Sequence, residues 1–374
     1  MIAERVPSRH RELTSLLHRI KTDVARDITD EFFDRHPSWW ENFGDVGYEH
    51  GIRDARFHIE FLAGSVEAKD PVPFADYVRW AARLLEARGI QRRHLAENLE
   101  QVRGALNERI SDPGWRQFVD RTLAEGLGAL EDEADQGADG LAERPAEPVS
   151  CGPDGAAELL QVYLSAILSG SRPLATSVLE KAMGEGWAVP DLYLHVIQPA
   201  QGRLGELWAD NRISVAQEHM ASAVTQAVLS HLYPHLPESP VRRGAAVVTG
   251  AEGELHQLGA HMVADILESD GWDVRFLGTQ LPHETVVEEV LKADARLVCI
   301  SITMAFNLGW AADLIERVRE RFPEGGPKIL VGGRAFHSSE RAWREVGADH
   351  YAIHLLEARD LARTLGEEGP AGRG

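Results

Sequence analysis

Between residues 245 and 353 five short apolar runs, AAVVTG, DVRFLG, ARLVCISIT, KILVGG and HYAI, are separated by stretches with helical spacing. The intervening helices are expected at Leu255–Ser269, Pro282–Lys292, Leu308–Arg321 and from about Ser338. Continuous apolar runs of this length read as strands buried on both faces. Parallel strands need a crossover between them, and a helix is the usual one. The alternation therefore predicts a Rossmann-like parallel sheet with helices on both sides. In such sheets ligands bind outside the carboxyl ends of the strands.

Two helical segments precede this pattern. In residues 1–131 apolar stripes recur at helical spacing: Leu13, Leu16, Leu17, Ile20 and Val24; Phe74, Tyr77, Ala81, Leu84 and Leu85; Leu95, Leu99, Val102 and Leu106; Phe118 and Leu123. Pro37 and Pro73 punctuate them, and no helix-turn-helix pattern is evident. Residues 132–153 are rich in acid, Gly and Pro and read as a linker. Residues 154–235 predict four helices, Ala156–Ser169, Pro173–Glu185, Pro190–Ala209 and Ser214–Leu232, enough for a small bundle. Pro and Gly near LYPHLPESPVRRG set the next boundary. The α/β domain then runs over 236–366, with a Gly-rich tail at 367–374.

Composition narrows the function classes. Asp plus Glu number 59 against 39 Lys plus Arg, a net charge of −20. A field of that sign repels phosphate backbones and argues against nucleic acid. The two cysteines, Cys151 and Cys299, allow no disulfide framework and fit a reducing cytoplasm. Neither a secretory leader nor a membrane span is expected. No nucleophile or general acid–base pair stands out, so independent enzymatic catalysis is not expected.

The chemistry lies at the ends of the predicted strands. Glu254, His256 and Gly259 form Glu-x-His-x-x-Gly after the first strand; Ser301 and Thr303 form Ser-x-Thr at the third; Gly332 and Gly333 close the fourth. Forty-one residues separate Gly259 from Ser301, and 28 separate Thr303 from Gly332. In type, order and spacing this resembles the cobalamin-binding domain of methionine synthase and methylmalonyl-CoA mutase, whose pattern is Asp-x-His-x-x-Gly, Ser-x-Leu and Gly-Gly. Glu254 stands for the Asp and Thr303 for the Leu. The resemblance implies His256 as the lower axial ligand of cobalt, held through its other nitrogen by Glu254. It implies a slot for the displaced nucleotide tail, lined by Gly259, Ser301, Gly332 and Gly333.

Trp208, Glu218 and His219, in the stretch WADNRISVAQEH, are similar to the Trp-x9-Glu-His pattern of light-sensing adenosylcobalamin proteins. There a four-helix cap covers the adenosyl group, which implies adenosylcobalamin as cofactor. The residue after the Trp is Ala209, where the repressors of that group can carry a His. A helical, globin-like N-terminal module beside such a cap resembles the photocobilins, which pair B12 with biliverdin. With no Cys in residues 1–131, a bilin would be held noncovalently, and Arg79, Arg83, His94, Tyr77 and Trp80 are its candidate contacts. That resemblance implies a photoreceptor whose cap packing and homo-oligomeric state change with light, signalling to a separate effector protein. The other expectation is a corrinoid methyl carrier serving methyltransferases.

Overall fold

A computed structural model describes residues 9–136, 153–323 and 325–367. The chain divides into two compact units. One gathers the described residues of 1–141 with Met304–Ala312 and Ser338–Val346; the other holds the rest.

In the second unit the strands β1 (Gly244–Gly250), β2 (Trp272–Gly278), β3 (Leu297–Ser301), β4 (Lys328–Gly332) and β5 (His350–Ala352) form one sheet. All neighbours are parallel, in the order β2-β1-β3-β4-β5. The order reverses at β1 and β3, and that is where a ligand crevice opens. Register matters more than order. Gly250 pairs with Ser301, Ser301 with Gly332, and Gly332 with Ala352. Three of the sequence signals thus end side by side along one edge.

The cap in the same unit contains α6 (Ala156–Leu168), α7 (Arg172–Gly184), α8 (Val189–Leu192), a π-helical turn at Tyr193–Ile197, α9 (Gln198–Ala209) and α10 (Val215–Leu232). The third expected helix is the run α8–π turn–α9. Helix α10 starts where it does because Ser214 and Gln217 make a capping box: each side chain bonds the other's backbone N–H. The cap core includes Tyr163, Leu179, Leu192, Leu204 and Val228, all buried, and it extends onto Met262 and Ile266 of α11 (Leu258–Ser269) and onto Leu355. Full burial of each such side chain contributes roughly 1.5–3 kcal/mol, so α11 holds cap and sheet together. Tyr193 adds a polar tie, its hydroxyl donating to Asp265 at 2.7 Å.

The first unit contains α1 (Arg9–Arg35), α2 (Pro37–Ala68), α3 (Val72–Glu86), α4 (Arg92–Arg109) and α5 (Pro113–Gln136). Helix α2 gives no periodic signal in the sequence because Gly44, Gly47, Gly51 and Gly64 interrupt it, and it is kinked at Gly44. Helix α5 runs past residue 131, where the linker was expected to begin. The rest of that linker, 137–152, and the tail at 368–374 lie outside the described residues. Met304–Phe306 pack against this unit's core, and Ser339 donates to Asp70 at 2.7 Å. Chain order alone would place both stretches in the 236–366 domain. The second unit also holds α12 (His283–Lys292), most of α13 (Leu308–Arg321) and an unexpected C-terminal helix, α15 (Leu355–Glu367), whereas a short α14 (Ala342–Glu345) falls in the first.

Candidate functional site

Helix α11 begins at Leu258, three residues later than the sequence pattern suggests. His256 therefore sits in a loop, free of helical geometry, between β1 and α11. Glu254 in that loop is only 1% exposed. One of its oxygens, Oε1, accepts from the His256 imidazole Nδ1 and from the His256 backbone N–H at 3.3 Å. The other, Oε2, accepts from the Thr303 backbone N–H at 3.1 Å, just past the end of β3. Burying a carboxylate is costly unless its lone pairs are filled, and here two strand ends fill them. The result is an imidazole with Nδ1 engaged and Nε2 left for coordination. The Glu254 hydrogen bond raises the His256 pKa above its ordinary value; burial and the Arg334 charge oppose this, and the Glu218 charge from the cap adds to it.

The loop rests on a residue that the sequence pattern did not single out. Gln280, in a left-handed backbone conformation (φ 69°), donates from Nε2 to the Glu254 carbonyl at 3.0 Å and accepts from the Gly253 N–H at 3.1 Å. It lies 26 residues from Glu254, and nothing in spacing or composition marks it.

The glycines are tightly constrained. Gly333 has φ 98°, and a Cβ there would stand 2.3 Å from the Ile302 carbonyl oxygen. At Gly332 it would meet the Ala352 carbonyl at 3.2 Å. Gly259 faces only the Ser301 hydroxyl, at 3.8 Å, so a side chain there would fill the space beside Ser301. Gly259 and Ser301 leave space near the His256 loop, whereas at Gly332 and Gly333 the Ala352 and Ile302 backbone stands where a side chain would go.

On the cap, Trp208 is half-buried near the end of α9, and Glu218 and His219 lie in the first turns of α10. His219 Nδ1 bonds Glu218 Oε2 at 2.5 Å. The Glu218 charge acts on the His256 loop, as the His256 shift records. Ala209, next to Trp208, is buried.

Residues 244–360 match the family described as B12 binding domain, and residues 159–233 match a second family of the same description. The dimethylamine corrinoid protein of Methanosarcina barkeri is 28% identical over 211 residues, covering 56% of this chain and 97% of that protein. Monomethylamine corrinoid protein 1 of Methanosarcina acetivorans is 27% identical over 215 residues, covering 56% and 97%. Among solved structures, the Methanosarcina barkeri monomethylamine corrinoid protein aligns with a TM-score of 0.51 and 24% identity, over 56% of this chain and 99% of that one. The chain thus carries B12-binding domains: a Rossmann-like sheet and its helical cap, which bind a corrinoid.

The residues fit that group. Among the described residues no cluster of three or more His, Cys, Asp or Glu could hold a metal unaided. A corrin brings four nitrogen ligands of its own, so one imidazole from the protein suffices to add an axial ligand. A carboxylate on the far imidazole nitrogen is the usual support for such a ligand.

Two expectations are corrected. The photoreceptor reading is overturned by the relatives, which are methylamine corrinoid proteins. The biliverdin contacts do not assemble either. Arg79 is paired with Asp76 at 2.6 Å. Tyr77 is buried, stacked on Phe61 and bonded to His58 Nδ1 at 2.7 Å. His94 packs instead with His36, Trp39 and Phe32. Trp80 lies 6.1 Å from Tyr77, and Arg83 shares the helix of Arg79. Tyr77 and His94 are thus engaged in the packing of the helical unit, and Arg79 in a local ion pair.

Proposed function

We propose that the chain is a corrinoid carrier protein that holds cobalamin over His256 and passes a methyl group between separate methyltransferase partners. The observation that carries this reading is the Thr303 N–H–Glu254–His256 chain, a rigid support for one axial imidazole. Bound cobalamin supplies a cobalt centre that can accept and release an alkyl group. Glu254 keeps the proton on Nδ1, so Nε2 is the basic nitrogen. Gly259 and Ser301 would leave room for the nucleotide tail, beside the close strand ends at Gly332 and Gly333. Trp208, Glu218 and His219 of the cap would cover the bound group and limit its access to water. The curated relatives support the methyl group as cargo, since their names attach them to dimethylamine and monomethylamine. The chain performs no transfer chemistry alone in this reading, and it works in a reducing cytoplasm.

A second reading of the upper face rests on Trp208, Glu218 and His219: an aromatic and two polar side chains suit a bulky adenosyl ligand better than a methyl. One titration separates the two. The full chain is mixed in the dark with methylcobalamin or adenosylcobalamin, and binding is followed by absorbance and gel filtration. Tight binding of methylcobalamin, lost in His256→Ala, is the expected result. Binding of adenosylcobalamin alone would replace the methyl reading with the adenosyl one. Failure to bind either would sink both.

A further inference from the structure

Glu218, bonded on its outer side by His219, begins a hydrogen-bonded chain that penetrates the cap. Ser222 Oγ lies 2.8 Å from Glu218 Oε1 and 3.3 Å from Gln201 Oε1. Gln201 Nε2 donates to Thr225 Oγ1 at 2.9 Å, and the Tyr163 hydroxyl donates to the same oxygen at 3.2 Å. Glu218, Ser222 and Thr225 fall at i, i+4 and i+7, one face of α10; Gln201 comes from α9 and Tyr163 from α6. Tyr163 and Thr225 are fully buried. A four-helix core needs none of these polar groups for its stability, and each is costly to bury unless satisfied. Their arrangement around one carboxylate calls for a role there.

The proton count singles out Gln201. Ser222 has one hydroxyl proton and faces two acceptor oxygens, while Thr225 faces two donors. A half-turn of the Gln201 amide resolves both. Nε2 then donates to Ser222, Ser222 donates to Glu218, and Thr225 accepts from Tyr163 and donates to Gln201 Oε1. Every donor in the chain now runs toward the Glu218 carboxylate. Amide rotation costs little, because the two ends of the group are nearly isosteric.

We propose that Ser222, Gln201, Thr225 and Tyr163 are positioning residues that hold the Glu218 carboxylate on the site face of the cap, with the Gln201 amide as the turning point. Donation along the chain fixes Glu218 Oε1, while Oε2 is bonded by the exposed His219, and the carboxylate so held would face the upper ligand of a bound corrinoid. This rests on the corrinoid reading above for its consequence, and on the cap alone for its existence.

Two experiments test it. The full chain is loaded with hydroxocobalamin, and replacement of the upper ligand by cyanide is timed by absorbance. Ser222→Ala and Gln201→Leu are each expected to change that rate about tenfold, the worth of one hydrogen bond to a charged group. In a Glu218→Gln background the same substitutions should change it less than about twofold. Equal effects in both backgrounds would mean that they act through general packing, and unchanged rates in the single variants would likewise overturn the proposal. The second experiment needs no cofactor. Side-chain amide NMR of Gln201 in the unloaded chain should shift on Glu218→Gln and on Thr225→Val. Silence there overturns the relay itself, whereas failure of wild-type protein to bind hydroxocobalamin overturns only the carrier reading.

Discussion

Glu254 and Glu218 are both carboxylates beside a histidine, yet their surroundings differ. Glu254 is 1% exposed and holds backbone N–H groups from two strand ends. Glu218 keeps 27% of its side chain exposed and is held by the Ser222 hydroxyl and the neighbouring His219 imidazole. A backbone donor at a strand end cannot rotate away, so the His256 loop has one arrangement. A serine hydroxyl and a glutamine amide can turn, so the cap can rearrange around the same carboxylate. The difference suits a carrier whose axial support is constant and whose opposite face must change ligands.

The largest expected effect breaks the rigid side. Gly333→Val adds a side chain where φ is 98° and the Ile302 carbonyl stands 2.3 Å from a Cβ. Strain and overpacking together should cost about 4 kcal/mol. Chemical denaturation of the unloaded chain measures it. A loss under about 1 kcal/mol would mean that the strand end is more pliant than its backbone contacts imply.

Glu254→Gln comes next. It removes a charged partner and should weaken cobalamin binding about 10–100-fold. Its pH dependence carries a sign. Only neutral imidazole coordinates, and Glu254 raises the His256 pKa, so wild-type affinity falls as pH drops through that raised value. In Glu254→Gln the fall should move to lower pH, because the support for the imidazolium is gone. A midpoint that stays put or moves up would contradict the assignment.

These contrasts were unevenly legible in the sequence. The strands were, since fully buried parallel strands leave continuous apolar runs, and Glu254, His256, Ser301 and Gly332 were, since strand ends fix their spacing. Helix α2 was not: Gly64 is there because a Cβ would stand 2.3 Å from the Ala305 carbonyl, and close packing selected glycine against helix propensity. Gln280 and Gln201 act through tertiary placement, which no local pattern records. The arginines near Tyr77 misled for the opposite reason: Arg79 answers to its helical neighbour Asp76, a local pair that looks like a ligand cluster in one dimension.

A smaller effect probes how the cap is seated. Tyr193 stands in the π-helical turn and donates to Asp265, whose carboxyl is raised above its usual range by burial. π turns inside helices are often functional. Tyr193→Phe leaves a buried carboxyl without that donor and should cost about 2 kcal/mol. Hydrogen exchange should rise in the cap helices and not in β1 or β3. A rise spread evenly over the sheet would remove the distinction between an adjustable cap and a fixed base.

The smallest effect sharpens the comparison most. Ser214 caps α10, and Glu218 and His219 follow within the next two turns. Ser214→Ala removes a side-chain acceptor from the Gln217 N–H, worth about 1 kcal/mol. Fraying at this end loosens Glu218 without touching Glu254, Thr303 or Gln280. Cyanide exchange on bound hydroxocobalamin should therefore quicken severalfold, while total affinity, anchored by His256, changes less than about twofold. Parallel changes in both would mean that the cap carries the binding energy and that the rigid loop is not the anchor.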